Sequence, residues 1–305
     1  VRLVYLGSPD AAVAPLRALV DAGHEVLLVV SQPDRRRGRG ASLSPSPVKA
    51  AAVALGIPVT DQPEDILDAV SAGAELGVVV AYGRLIRPPL LATLGFVNIH
   101  FSLLPRWRGA APVERAILAG DTETGCCLMA LEEGLDTGGV YDRVVTPIGP
   151  EETAAALRDR LVAIGTDMLL RNLRDGLGVP VPQHGEASYA AKIDPAELRI
   201  DWGRKASEIH RLVRIGGAWT TLAGRRLKIL SARIVSAPMD SAPMDSAQAD
   251  RAPRNVGPGS ITGTTVVTGA GLVELGAVQP EGKAPMEAEA WRRGLHLDAG
   301  ARLGD

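Results

Sequence analysis

FVNIHFSLLPRWRG, residues 96 to 109, decides how the chain folds and where its chemistry lies. Phe96 to Ile99 reads as the end of a buried strand, and alternation along a strand turns Asn98 and His100 to one face. Ser102 to Gly109 carries a proline and closes on a glycine, so it reads as the loop that follows. In an open α/β sheet the point where a strand runs out into a loop is the carboxyl edge, where ligands bind. An amide and an imidazole therefore meet in a crevice.

Such a pair suits attack on a carbonyl carbon. The Asn NH2 can donate to a developing oxyanion, and an imidazole can donate when charged or accept a proton when neutral. A carboxylate is wanted beside the imidazole, and Asp136, in the glycine-bounded turn Gly134 to Gly138, is the candidate. No Ser or Cys stands at a recognisable spacing from a base, so the attacking group is expected to come from the substrate. Without company an Asn and a His at a strand end are more often a satisfied polar pair. The histidines that lack company, His24, His184, His210 and His296, read as turn, loop or exposed helix residues.

The run Asn98, His100, Ser102 to Pro105, continuing through Arg106 to Pro112 and the Asp136 loop, resembles the folate-dependent formyltransferases, most closely those that act on methionyl-tRNA. GSPD at 7–10, QPD at 32–34, GRG at 38–40, SPVK at 46–49, AYG at 81–83, Gly120 with Asp121, and RIDW at 199–202 fall in that family's order. The resemblance implies a Rossmann-like formyltransferase domain followed by a small OB-like barrel. It implies transfer of a formyl group from 10-formyltetrahydrofolate to the α-amino group of methionyl initiator tRNA, with no metal. Asn98 and His100 would stabilise the oxyanion and Asp136 would hold His100. Ser102, Leu103, Leu104 and Pro105 would line the folate site. The basic loop with Arg35, Arg36, Arg37, Arg39 and Lys49 would bind the tRNA, and a cytoplasmic monomer is expected. Ala11 and Phe101 stand where the family often has an aromatic residue and a glycine, and Ala284 replaces one lysine of a Gly and Lys rich segment.

Two other readings compete. A formyltransferase acting on glycinamide ribonucleotide or on a sugar amine would use the same three residues, but would not need the basic loop. A non-catalytic RNA-binding protein would need the basic residues, but not Asn98, His100 and Asp136 intact.

Composition narrows the class. A chain of 305 residues is long for one core, so two domains are expected. Residues are 46% hydrophobic but only 3% aromatic, as in Ala, Leu and Val cores of alternating βαβ units. No apolar stretch reaches the roughly 18 residues of a membrane span, and Leu3 to Leu6 opens as a strand with no leader pattern. Cys126 and Cys127 are adjacent in an apolar segment and form neither a disulfide framework nor a zinc site. The net charge of −2 conceals two signs: residues 204–305 hold 14 Lys and Arg against 10 Asp and Glu, and residues 1–203 hold 19 against 25. A basic domain beside an acidic one suggests a polyanionic partner.

In chain order, Arg2 to Leu6, Glu25 to Val30, Ile57 to Val59, Leu76 to Ala81, Gly125 to Leu131 and Val140 to Thr146 read as strands. Helices alternate with them, including one over Arg84 to Leu94 and a long one over Glu151 to Leu177. This is doubly wound α/β order over residues 1–177. No GxGxxG follows the first strand, which excludes a nicotinamide enzyme. Pro33 to Lys49 reads as a loop without packed structure. Residues 178–203, with Pro180, Pro182 and Pro195, read as a linker. Over residues 204–305, short runs such as Trp219 to Leu222 and Arg226 to Ile234 suggest a small barrel. Ser236 to Asp245 repeats Ser, Ala, Pro, Met, Asp twice and reads as a surface loop.

Overall fold

The computed structural model of the protein describes residues 1–36, 43–235, 257–295 and 302–305. The Ser236 to Asp245 repeat and His296 lie outside the described residues. Two compact units are present. The first holds Val1–Ala116, Asp121–Gly149 and Ala155–Lys192, and the second Ile117–Gly120, Pro150–Ala154 and Ile193–Asp305.

The first unit is built on seven strands: β1 (Arg2–Gly7), β2 (Glu25–Val30), β3 (Val59–Thr60), β4 (Leu76–Val80), β5 (Phe96–His100), β6 (Glu123–Ala130) and β7 (Val140–Pro147). They lie in the order β7, β6, β5, β4, β1, β2, β3, parallel from β5 to β3 and antiparallel at β6 and β7. Leu3 to Leu6 and Val78 to Val80 are buried, as central parallel strands covered on both faces must be. The order reverses beside β1, so the carboxyl ends of β1, β4 and β5 open at the topological switch point.

Local chemistry sets the helices. Ser46 caps Pro47–Ala54 by accepting from the Lys49 N–H, with Pro47 at the first turn. The helix expected over Arg84 to Leu94 is instead the single turn Pro88–Leu91. Pro88 and Pro89 can begin a helix but cannot continue one from Arg84, because proline has no N–H and restricts the residue before it. The expected long helix is Ala154–Asp175, with Leu157, Leu161, Met168 and Leu169 buried. At Gly165 it approaches β5 so closely that a Cβ would stand 2.5 Å from Ile99 Cγ2. Beside it, Cys126 is buried and donates to Leu161 O, and burial pushes its thiol up to about 12.

The structure departs from expectation at three places. Pro33 to Lys49 is not structureless, since Arg35–Arg36 pairs antiparallel with Leu43–Ser44. Of residues 178–203, expected as a linker, the part up to Lys192 belongs to the first unit. Val181 bridges Val140 through two backbone hydrogen bonds of 2.9 and 2.8 Å, and Tyr189–Ala190 pairs parallel with Arg108–Gly109. Backbone N–H and C=O groups need partners when buried, and those of Val181, Ser188 and Ala190 find them within the first unit. His210 is not exposed: it is buried within the second unit, with Nε2 2.9 Å from Glu151 Oε2.

The second unit is an antiparallel barrel-like domain with a helix, Ala206–Arg214, and a core that includes Trp202, Ile209, Val213, Leu227, Val273, Val278 and Trp291. One sheet orders Trp219–Leu222, Arg225–Ile229, Ala277–Pro280 and Met286–Glu287; the other orders Ala232–Val235, Leu272–Leu275, Thr265–Val267 and Ile261–Thr262. The run read as one strand from Arg226 to Ile234 breaks at Leu230 and Ser231. There the backbone turns from one sheet to the other, and the Ser231 hydroxyl accepts the Ala277 N–H at 2.8 Å.

Gly165→Ala sets two effects against each other. Helix propensity gains up to about 1 kcal/mol, while forcing a methyl against the β-branched Ile99 costs about 1–3 kcal/mol. Overpacking wins, and the thermal midpoint is expected to fall by a few degrees in calorimetry. An unchanged or raised midpoint would contradict this packing.

Candidate active site

β5 delivers Asn98 and His100 to the carboxyl edge of the sheet, both buried to within a few per cent of their surface. They line a cavity of about 760 Å³ together with Leu85, Ile86, Leu131 and Asp136. Among the described residues the Asn98 side chain makes no hydrogen bond, so its amide is free to meet a ligand.

His100 is oriented from behind. Its Nε2 lies 2.9 Å from the Trp107 carbonyl oxygen, which can only accept, so Nε2 carries the proton. Nδ1 is then the nitrogen left to gain and lose a proton, and it stands 3.6 Å from Asp136 Oδ2. That distance is too long for a strong hydrogen bond.

Trp107 holds its carbonyl in place through an unusual backbone conformation, with φ at +63°. Left-handed backbone at a bulky residue costs about 1–3 kcal/mol and persists only where neighbours enforce it. Those neighbours are present. The Trp107 N–H donates to Ser188 Oγ at 3.0 Å, and its indole Nε1 donates to Asp121 Oδ2 at 2.7 Å. Arg106 lies 4.6 Å from the indole centroid and is itself bound by both Asp121 oxygens, at 3.0 and 2.6 Å. The hydrogen bond to Asp121 holds the Arg106 guanidinium above its usual range.

Asp136 is also left-handed, with φ at +51°, and its Oδ2 accepts the Gly109 N–H at 2.7 Å. Gly109 has φ at +117°, and a Cβ there would stand 3.0 Å from Ala190 O. Gln183 spans the same region, donating to the carbonyls of Asp136 and Gly138 and accepting from Arg108.

The structure thus brings Asn98, His100 and Asp136 together and treats the other expected residues differently. Ser102, Leu103, Leu104 and Pro105 are not among the residues that line this cavity. Ser102 is fully buried and donates to Arg106 O at 2.6 Å. Leu104 packs with Cys127, Met129 and Val140, and its carbonyl accepts from Arg143 at 2.8 Å. Their turn is drawn inward by apolar burial and shapes the backbone that carries Trp107. Lys49 is ion-paired with Asp34 at 2.7 Å, so its charge is neutralised locally. Arg35 and Arg36 are exposed, and Arg37 and Arg39 lie outside the described residues. Sequence reading missed Gln183, Ser188 and the cavity-lining Lys192, all within the presumed linker. Asp121 had been noted only as part of a motif. Among the described residues no group of three or more His, Cys, Asp or Glu is placed to hold a metal ion.

Gly109→Ala tests the Asp136 anchor. The added methyl requires the backbone to move and carries the N–H away from the carboxylate. A misplacement of about 1 Å at a site costs roughly a hundredfold, so turnover is expected to fall by that order in a steady-state assay, with the circular dichroism spectrum retained. Full activity would remove Gly109 from the site.

Residues 1–173 match the formyl transferase family model and residues 192–296 the model of the formyl transferase C-terminal domain. Methionyl-tRNA formyltransferase of Roseobacter denitrificans is 45% identical over 98% of this chain and 98% of its own. The protein of the same name from Symbiobacterium thermophilum is 40% identical over 99% of this chain and 95% of its own. Among solved structures, the N-formyltransferase of Helicobacter canadensis, in complex with folinic acid and dTDP-3-aminofucose, superposes with a TM-score of 0.64 at 17% identity, covering 90% of this chain and 98% of that one. This chain belongs to the formyl transferase family, and groups there with the methionyl-tRNA formyltransferases.

Proposed function

We infer that this protein transfers the formyl group of 10-formyltetrahydrofolate to the α-amino group of methionyl initiator tRNA. The observation that carries this reading is that relatives named for that activity align along nearly the whole chain, through the second unit as well as the first.

The cavity fits the donor. At about 760 Å³ it is in the range of small-molecule sites, and Leu85, Ile86, Leu131 and Leu135 offer the apolar walls that a flat aromatic ring system needs. The folate supplies an activated formyl carbon. Asn98 donates its N–H to the oxygen of that group, and His100 Nδ1, when protonated, donates to the same oxygen. Both act where negative charge grows as the amine attacks, and burial strengthens each bond. Asp136 balances the charge on His100 and takes the amine proton through water; collapse of the tetrahedral adduct then breaks the bond between the formyl carbon and the folate nitrogen, which leaves with a proton as tetrahydrofolate. No side chain of the protein needs to act as nucleophile.

Arg35 and Arg36, exposed beside the Lys49–Asp34 pair, are assigned to the acceptor RNA, with Arg37 and Arg39 continuing the same cationic run. Arginine suits phosphate because its planar fork matches two oxygens. Exposed Arg225, Arg226 and Lys228 give the second unit a cationic strand of its own. No helix among the described residues is long and apolar enough to cross a membrane.

The test is transfer of labelled formyl from 10-formyltetrahydrofolate, with methionyl initiator tRNA and glycinamide ribonucleotide offered in parallel. Label is expected on the aminoacyl-tRNA alone. Label on the nucleotide would keep the chemistry and overturn the acceptor, and label on neither would favour a binding protein.

A further inference from the structure

Gln183 lies between the two matched family models, in residues 174–191. Both ends of its carboxamide are engaged. Nε2 donates to Asp136 O and to Gly138 O, each at 2.8 Å, and Oε1 accepts from Arg108 Nη2 at 2.7 Å and Nε at 3.1 Å. Carbonyls only accept and a guanidinium only donates, so this orientation of the amide follows from its partners.

The two ends grip two segments that meet at the Asp136 carboxylate. Arg108 precedes Gly109, whose N–H is bonded to Asp136 Oδ2. The carbonyls of Asp136 and Gly138 belong to the turn that holds Asp136 left-handed. Gln183, Arg108, Gly109 and Asp136 therefore close a ring, and the fourth member of that ring faces His100. Anchoring of residues 178–192 does not require this amide. Val181 on Val140 and Tyr189–Ala190 on Arg108–Gly109 already fix the chain on either side of it.

We propose that Gln183 is a positioning residue for formyl transfer: its carboxamide sets where the Asp136 carboxylate stands relative to His100. It does not line the cavity and acts through Asp136. The proposal rests on the formyl-transfer reading. It gives a single side chain in the presumed linker control over the chemical step.

Gln183→Glu separates positioning from anchoring. The carboxylate still accepts from Arg108, but it sets an oxygen against two carbonyl oxygens that need a donor. Gln183→Met keeps the length and loses both ends. Loss of an outer partner that orients a metal ligand typically costs about 10–100-fold, and the same order is expected for a carboxylate oriented in this way. Both variants are expected to lower the single-turnover rate in that range, with KM for folate and for methionyl-tRNA within about twofold. In an Asp136→Asn background Gln183→Glu is expected to cost little further, because the two act as one unit. Amide hydrogen exchange supplies a readout independent of activity, with faster exchange expected at Gly109 and over residues 135–138.

A full rate in Gln183→Glu, an equal loss in both backgrounds, or a loss confined to KM or to the thermal midpoint would overturn the proposal. So would unchanged exchange. A wild-type enzyme inactive on every acceptor, with the exchange difference present, would instead overturn the reaction and leave the positioning geometry standing.

Discussion

The site depends on the bond between His100 Nε2 and the carbonyl of Trp107. Because a carbonyl cannot donate, this contact decides which ring nitrogen is bare and turns Nδ1 toward Asp136 and the cavity. It exists only while Trp107 stays left-handed. The conformational cost, about 1–3 kcal/mol, is offset by the bonds that Trp107 donates to Ser188 and to the charged Asp121, the latter of a kind that contributes about 1.5–3 kcal/mol. If Trp107 relaxed, its carbonyl would swing away and the imidazole would lose both its tautomer and its aim.

Around that contact the fold supplies rigidity from three directions. β5 carries Asn98 and His100, and the Ala154–Asp175 helix presses on Ile99 through Gly165, so the strand end cannot shift without disturbing the core. The Asp136 turn is held by Gly109 and Gln183. The chain from 178 to 192 crosses behind both, pairing with Val140, Arg108 and Gly109. What composition marks as a connector is, in the folded protein, the brace of the active site.

How much of this is legible in the sequence depends on the range of the contacts. Asn98 and His100 are legible because strand alternation is local, and Asp136 because its flanking glycines announce a turn. The doubly wound order follows from alternating apolar runs. Gln183 and Ser188 are not legible, since their partners lie some 45 to 81 residues away and nothing in a proline-rich segment signals a bond at that distance. The inward packing of Leu104 is not legible for another reason: nothing in a loop that follows a strand signals which of its apolar side chains joins the core. Lys49 shows a third limit. Its charge can be counted from sequence, but its pairing with Asp34 cannot.

Whether Asn98 acts in the chemical step is decided by single-turnover transfer with Asn98→Ala, with methionyl-tRNA and folate affinities determined on the same variant. Loss of one oxyanion donor costs about 2.7–4 kcal/mol of barrier. The rate is therefore expected to fall by roughly a hundredfold to a thousandfold while both affinities hold. A full rate, or a loss traced entirely to weaker binding, would contradict a role for Asn98 in that step.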